Sequence, residues 1–110
     1  MPIVSLNDFL KQHPVRGNAY VKEKGFRSLY VRVGPRYLAG VLHPKVLDIA
    51  SAEVIKKGRG TFTALITRLH AQGYTLYAEC VHNERLVPKL LSLGFTQLPG
   101  DGAPSFYLIP

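Results

Sequence analysis

The short segment 58–61, Gly-Arg-Gly-Thr, has residue types that could bind an anion. Glycines let the backbone approach a ligand closely, and the free N–H groups at the start of a helix, with the positive end of its dipole, attract negative charge. Lys56 and Lys57 add positive charge before the segment. The spacing matches neither a P-loop nor the three-glycine dinucleotide fingerprint. Two interpretations therefore stay open: a phosphate-binding loop, or a glycine turn that leads into a helix.

Three side chains near this segment could exchange a proton with a substrate. Glu53 and Glu79 lie on the extended segments that flank it, and His82 follows the second of these segments. A carboxylate can accept a proton directly or through water, and an imidazole changes protonation near neutral pH. The three residues are therefore candidate general bases. Solvated strand carboxylates and a surface histidine are the alternative interpretations.

Apolar periodicity predicts the elements that position these residues. Apolar side chains at the i, i+3, i+4 and i+7 positions predict an amphipathic helix from Phe62 to about Gly73. Strands are predicted before and after it, over 46–54 and 74–81. A second helix should begin one or two residues before Pro88, because an interior proline removes a backbone donor.

The rest of the chain contains further elements of both kinds. We predict a helix over 5–13 capped by Ser5, a loop over 15–27, a hairpin of strands 28–33 and 36–42 that turns at Gly34-Pro35, and two last short strands over 95–98 and 105–109. A break is predicted at His43-Pro44. Strands, helix, strand, helix and strands in this order are typical of a mixed α/β sheet.

Length and charge restrict the class of protein. The chain has 110 residues, which suits one compact domain, and 14 Lys plus Arg against 7 Asp plus Glu give a net charge of +7. The single Cys80 cannot form an internal disulfide, and the four histidines lack metal-ligand spacing, so we expect no metal site. The sequence has no apolar run of the ~18 residues that a membrane helix needs, and no signal peptide pattern. We expect a cytoplasmic protein with no membrane partner.

The segment from Leu47 to Phe95 resembles the acetyl-CoA-binding core of the GNAT superfamily of N-acetyltransferases. In that family a strand leads to a Gln/Arg-x-x-Gly-x-Gly/Ala loop, a helix, a strand, an asparagine and a helix that ends in Leu-Gly-Phe. Here residues 57–65 read KGRGTFTAL, Asn83 follows the second strand, and residues 93–95 are Leu-Gly-Phe.

The resemblance implies a fold, a function and a set of site residues. The fold would be a single GNAT-like α+β domain with a mixed, mostly antiparallel sheet, helices on both faces and a shortened N-terminal part. The function would be transfer of an acetyl group from acetyl-CoA to an amine of a small molecule or protein. The loop would bind the pyrophosphate, and strand residues would pair with the pantetheine arm. The implied acetyl-CoA contacts are Ala52, Glu53, Val54, Lys57, Gly58, Arg59, Gly60, Thr61, Phe62 and Asn83.

This sequence departs from the family pattern at three positions. Lys57 replaces the usual Gln or Arg and keeps a positive donor. Phe62 replaces a small residue, and it either shifts the cofactor or points inward as the first member of the apolar stripe. Leu90 aligns with the family's tyrosine that protonates the leaving thiolate, and leucine cannot donate a proton. Water would have to protonate the sulfur.

A second interpretation belongs to a different class of protein. A catalytically weak or inactive GNAT-shaped module could use its basic surface to bind an acidic protein or nucleic acid, since Tyr20, Tyr30 and Tyr37 lie among Arg and Lys residues. No nucleic-acid-binding signature supports the nucleic-acid variant. A homodimer is the oligomer that the shortened N-terminal part would favour. A structural or accessory protein remains a third interpretation.

Overall fold

A computed structural model describes residues 3–78, 86–100 and 102–110. The elements are α1 (Leu6–Gln12), β1 (Gly17–Tyr20), β2 (Phe26–Leu38), β3 (Val41–Val54), α2 (Thr61–Ala71), β4 (Thr75–Ala78), α3 (Leu86–Ser92), β5 (Thr96–Gln97) and β6 (Phe106–Leu108). The strands form one sheet in the order β1-β2-β3-β4-β6-β5. Only β3 and β4 pair in parallel among the described strands. The predicted mixed, mostly antiparallel α+β sheet is confirmed.

The described helices pack on one face of this sheet. Leu47 of β3 and Leu76 of β4 belong to the same core cluster as the buried residues of all three helices, whereas Val46 and Tyr77 belong to a smaller cluster on the opposite face. The connections from β3 to β4 and from β4 to β5 step in the same direction across the sheet, so right-handed crossovers place α2 and α3 on the same side. Helices on both faces, which the resemblance implied, are not found in the described part of the chain.

The predicted helices are present with bounds close to those expected. Ser5 caps α1, since its Oγ accepts a hydrogen bond of 3.1 Å from the backbone N–H of Asp8. The stripe on α2 is buried as predicted, and α3 begins two residues before Pro88. None of the described helices is long and apolar enough to cross a membrane.

Three predictions about the first strands were wrong. Strand β3 runs from Val41 to Val54 through His43-Pro44, where a break was predicted. The segment 15–27, predicted as a loop, contains β1, because Gly17–Tyr20 pairs with the first half of β2 and tertiary pairing overrides a weak local pattern. The hairpin between β2 and β3 turns at Ala39-Gly40 instead of Gly34-Pro35. Ala39 and Gly40 both have positive φ, as a two-residue hairpin turn requires.

The hairpin continues through Pro35 and Pro44 because it projects beyond the rest of the sheet. Pairing with β1 ends at Val33, and pairing with β4 begins at Val46. The strands between these points form a two-stranded arm with open outer edges in the described structure, and the register shifts between Gly34 and Arg36. A proline can occupy an edge or a bulge because no donor is needed there.

Candidate acetyl-CoA site

The loop over 55–60 connects β3 to α2 and contains the anion-binding segment identified in the sequence. Gly58 and Gly60 have φ values of 79° and 70°, in the left-handed region that favours glycine. A Cβ atom at either position would meet no other atom within 4 Å, so both glycines border open space. The loop therefore exposes backbone that side chains would otherwise cover.

The first turn of α2 has neither a capping side chain nor an acidic residue. Gly60 is the N-cap and supplies no side-chain hydrogen bond, and the first turn contains no acidic residue. Lys56, Lys57 and Arg59 are all exposed beside it. The helix dipole and these cations act in the same direction, so this end of α2 favours an anion.

The second half of β3 extends past the parallel pairing with β4. In the described residues that pairing covers Val46–Asp48 of β3 and Thr75–Tyr77 of β4, yet β3 continues to Val54. Its other edge is paired with β2 up to Val54. Ala52 and Glu53 are exposed and Val54 is half-buried. This half of β3 is where an extended ligand could add along the strand edge.

Glu53 is accessible at the end of β3. Its Oε1 lies 3.5 Å from Nε of Arg27, and both side chains are 64% exposed. Ser28, next to Arg27, is the residue that faces Glu53 across the β2–β3 pairing. An exposed ion pair of this kind opens readily, so the carboxylate is accessible from solvent.

Thr61 and Phe62 fix the first turn of α2 against the body of the protein. A Cβ atom added to Gly25 would lie 2.6 Å from Cγ2 of Thr61, so this side chain packs closely on the glycine. The N–H of Ile55 donates to the carbonyl of Gly25 at 2.9 Å. Phe62 packs against the core, which confirms the inward orientation rather than a position over the loop.

A groove of about 600 Å³ lies beside this region, at the connection between β1 and β2. Arg27 and Ser28 line it, and these two residues contact or face Glu53. Gly25, in the same connection, contacts the start of α2. The β1–β2 connection and the start of β2, which line the groove, therefore contact the start of α2 and the candidate base, respectively.

Three predicted site residues, Glu79, His82 and Asn83, lie outside the described residues. Leu90, which replaces the family tyrosine, is fully buried in α3 and belongs to the core. It therefore acts as a packing residue. The remaining predicted contacts, from Ala52 to Phe62, come together at the end of β3 and the start of α2.

Sequence reasoning missed two charged clusters that contacts between elements distant in the sequence create. Arg68 of α2 donates from Nη1 to Oε2 of Glu23 at 2.9 Å, which fastens the β1–β2 connection to the helix. Asp48 is buried, and Arg32 and Arg36 approach its Oδ2 at 3.6 and 3.8 Å. The only sequence signal for the second cluster was an acid within the apolar run of β3.

Comparison with protein-family models, with curated proteins and with solved structures finds no match to this chain. Among the described residues, no group of three or more His, Cys, Asp or Glu side chains is placed to hold a metal ion. Three features of the described structure therefore bear on function: the glycine loop, the half of β3 beyond its described pairing with β4, and the adjacent groove.

Proposed function

We propose that this chain is a small GNAT-like domain that binds acetyl-CoA and transfers its acetyl group to an amine. The observation that carries the proposal is the start of α2, where an N-cap glycine without a side-chain partner meets three exposed cations. The order of strand, glycine loop, helix and parallel strand supports it.

The residues at this site suit the two chemical halves of CoA. Backbone N–H groups of Gly58, Arg59, Gly60 and Thr61 would hold the pyrophosphate, with Lys57 as an additional donor. Residues 52–54 of β3 would pair with the amide groups of the pantetheine arm, because that part of the strand continues past its described pairing with β4. Acetyl-CoA supplies an activated acetyl carbon as a thioester.

The reaction needs a proton acceptor for the amine. The ammonium form of the acceptor loses one proton to a base, its nitrogen forms a bond to the acetyl carbon, and the carbon–sulfur bond breaks. The nitrogen then releases its second proton to water, and the thiolate takes a proton from water. Glu53, Glu79 and His82 are the candidate bases. Leu90 cannot act as the acid, so we expect slower thiolate protonation than a tyrosine would give.

Release of free CoA in the presence of a panel of amines tests the proposal. We expect amine-dependent release by the unchanged chain, measured with a thiol-reactive dye. The variants Glu53→Gln, Glu79→Gln and His82→Asn identify the base: its removal should lower kcat by about 100-fold, within the usual range for general-base catalysis, and abolish the acidic limb of the pH profile.

Asp8→Asn is the control variant, because Asp8 lies on α1 and is exposed. It should leave kcat and its pH profile unchanged. Amine-independent thioester hydrolysis as the only activity would contradict acetyl transfer. Unchanged pH profiles in all three base variants would exclude these residues as the base.

The second candidate function is a binding module that uses the face of the sheet opposite the described helices. The favouring observation is an array of aromatic and basic side chains: the Tyr20 and Tyr30 rings lie 4.8 Å apart, and the Arg32 guanidinium lies 5.8 Å from the Tyr30 ring. This candidate predicts salt-dependent binding of a labelled oligonucleotide or acidic peptide that Tyr20→Ala weakens and CoA does not affect.

A further inference from the structure

The groove at the β1–β2 connection has a defined shape that backbone contacts maintain. Lys22 is fixed by two backbone hydrogen bonds: its N–H donates to Val4 at 2.9 Å, and its carbonyl accepts from Leu6 at 3.0 Å. The next residues make a tight turn in which the N–H of Phe26 donates to the carbonyl of Glu23 at 3.1 Å. The cations on this connection are therefore attached to an ordered backbone.

The groove carries an excess of positive charge. Lys22, Lys24 and Arg27 line it together with one acid, Glu23. That acid is already engaged, because its Oε2 accepts the 2.9 Å hydrogen bond from Arg68. Arg27 forms an ion pair with Glu53, which leaves the two exposed lysines without a carboxylate partner in the described part of the chain. A negative group in the groove could form charge-assisted hydrogen bonds with both lysines.

The groove is also lined by apolar residues and by one residue that contacts Glu53. Ile3, Tyr20 and Phe26 are among the lining residues. Arg27 lines the groove too, and its Nε lies 3.5 Å from Oε1 of Glu53. A molecule in the groove could thus place one end near Glu53 and another on the lysines.

We propose that this groove binds the acetyl acceptor, and that the acceptor is an amine that also carries an anionic group, a carboxylate or a phosphate. The inference rests on the proposed acetyl transfer. Lys22 and Lys24 bind the anionic group, and the amine lies towards Glu53, where it loses its proton and forms the bond to the acetyl carbon as CoA leaves.

Matched pairs of amines test the proposal, because the two members of each pair differ by the anionic group. Phenylalanine with phenethylamine tests a carboxylate, and glucosamine 6-phosphate with glucosamine tests a phosphate. Binding is measured by titration calorimetry on the full chain with saturating CoA, and turnover by CoA release. We expect the anionic member of at least one pair to bind about tenfold more tightly and to have a correspondingly higher kcat/KM.

A charge-matched pair of double variants locates the effect. Lys22→Gln with Lys24→Gln should remove the preference for the anionic amine. Lys11→Gln with Lys89→Gln removes the same charge from residues that do not line the groove, and should preserve the preference. If both double variants lose the preference for the anionic amine equally, the site is overturned, because net charge alone would then attract the anion.

The remaining outcomes separate this inference from the proposed function. If CoA binds and both members of every pair bind and react equally well, the anionic class is overturned while acetyl transfer stands. If CoA does not bind the unchanged chain, the proposed function fails, and the acceptor role of the groove fails with it.

Discussion

The N-terminus of α1 and the N-terminus of α2 are built in opposite ways. Helix α1 starts after Ser5, whose Oγ accepts the N–H of Asp8, and Asp8 adds an acid to the first turn. Helix α2 starts after Gly60, which has no side-chain acceptor, and no acid follows it. One helix start is thus capped by a side chain, whereas the other has no side-chain cap in the described residues, as the proposed anion site requires.

The difference also implies that α2 owes its stability to its buried side rather than to its start. Leu65, Ile66 and Leu69 are buried in the same cluster as Leu6 and Phe9 of α1. A helix without a cap can remain folded when an apolar face is packed in the core. An uncapped start is then available for binding without loss of the fold.

The largest effect is expected when the buried face of α2 is truncated. Leu69 has no exposed surface, so Leu69→Ala should lower the free energy of unfolding by about 2–5 kcal/mol through lost burial and a cavity. Thr67→Ala, at an exposed position of the same helix, should change it by less than about 0.5 kcal/mol. Chemical denaturation measures both. A similar, small loss for both would mean that the core does not hold α2.

The next effect concerns the charge at the start of α2. Arg59→Glu should weaken CoA binding about tenfold at low salt, because an attractive charge becomes repulsive, and the difference should shrink as salt screens it. Arg16→Glu makes the same charge change at an exposed position just before β1. Calorimetric titration measures the CoA affinity of both variants. Equal weakening by both variants would argue against a site at the loop.

A smaller effect is expected at the capped start of α1. Ser5→Ala should lower the free energy of unfolding by about 1 kcal/mol, because the N–H of Asp8 loses its acceptor. Asn7→Ala, at an exposed position in the first turn, is the matched control. The stabilisation by CoA should be the same in both variants. A CoA effect that Ser5→Ala removes would mean that the two helix starts are not functionally distinct.

The smallest effects are expected for the ion pairs around α2 and Glu53. A double-mutant cycle on Arg27 and Glu53 should give a coupling of at most about 0.5 kcal/mol, since both side chains are largely exposed. The Glu23 and Arg68 pair is more buried and should give about 1 kcal/mol. A stronger coupling at Glu53 would mean that this carboxylate is held too firmly to serve as a base.

Local sequence signals predicted the elements around the site, but not everything that packs on them. The stripe from Phe62 to Leu69 and the Ser5 cap depend on neighbours within one or two helical turns, so they are visible in the sequence. The turn at Ala39 has a positive φ that alanine rarely adopts, and pairing of the flanking strands imposes it. Propensity alone could not place that turn.

The groove, like the turn at Ala39, could not be predicted from local sequence signals. Lys22 and Lys24 lie about thirty positions before Glu53 in the chain, within a segment predicted to be a loop, and the pairing of β2 with β3 brings them to the same region. The pattern of residues 57–65 was visible because it lies between two predicted elements. The position of the lysines depends on pairing between strands that are distant in the sequence, and no local pattern of residues indicates that pairing.

The most direct test of the account is the free energy of unfolding with and without CoA for the unchanged chain, Gly60→Glu and Gly73→Glu. The two glycines lie at opposite ends of α2, and both have positive φ and open surroundings. The backbone strain of each variant is the same with and without CoA, so it cancels when the two free energies of unfolding are subtracted. CoA at 100 times its Kd should add about 2.7 kcal/mol to the unchanged chain and to Gly73→Glu, and nothing to Gly60→Glu. Equal stabilisation of all three proteins, or none of the unchanged chain at millimolar CoA, would contradict a CoA site at the start of α2.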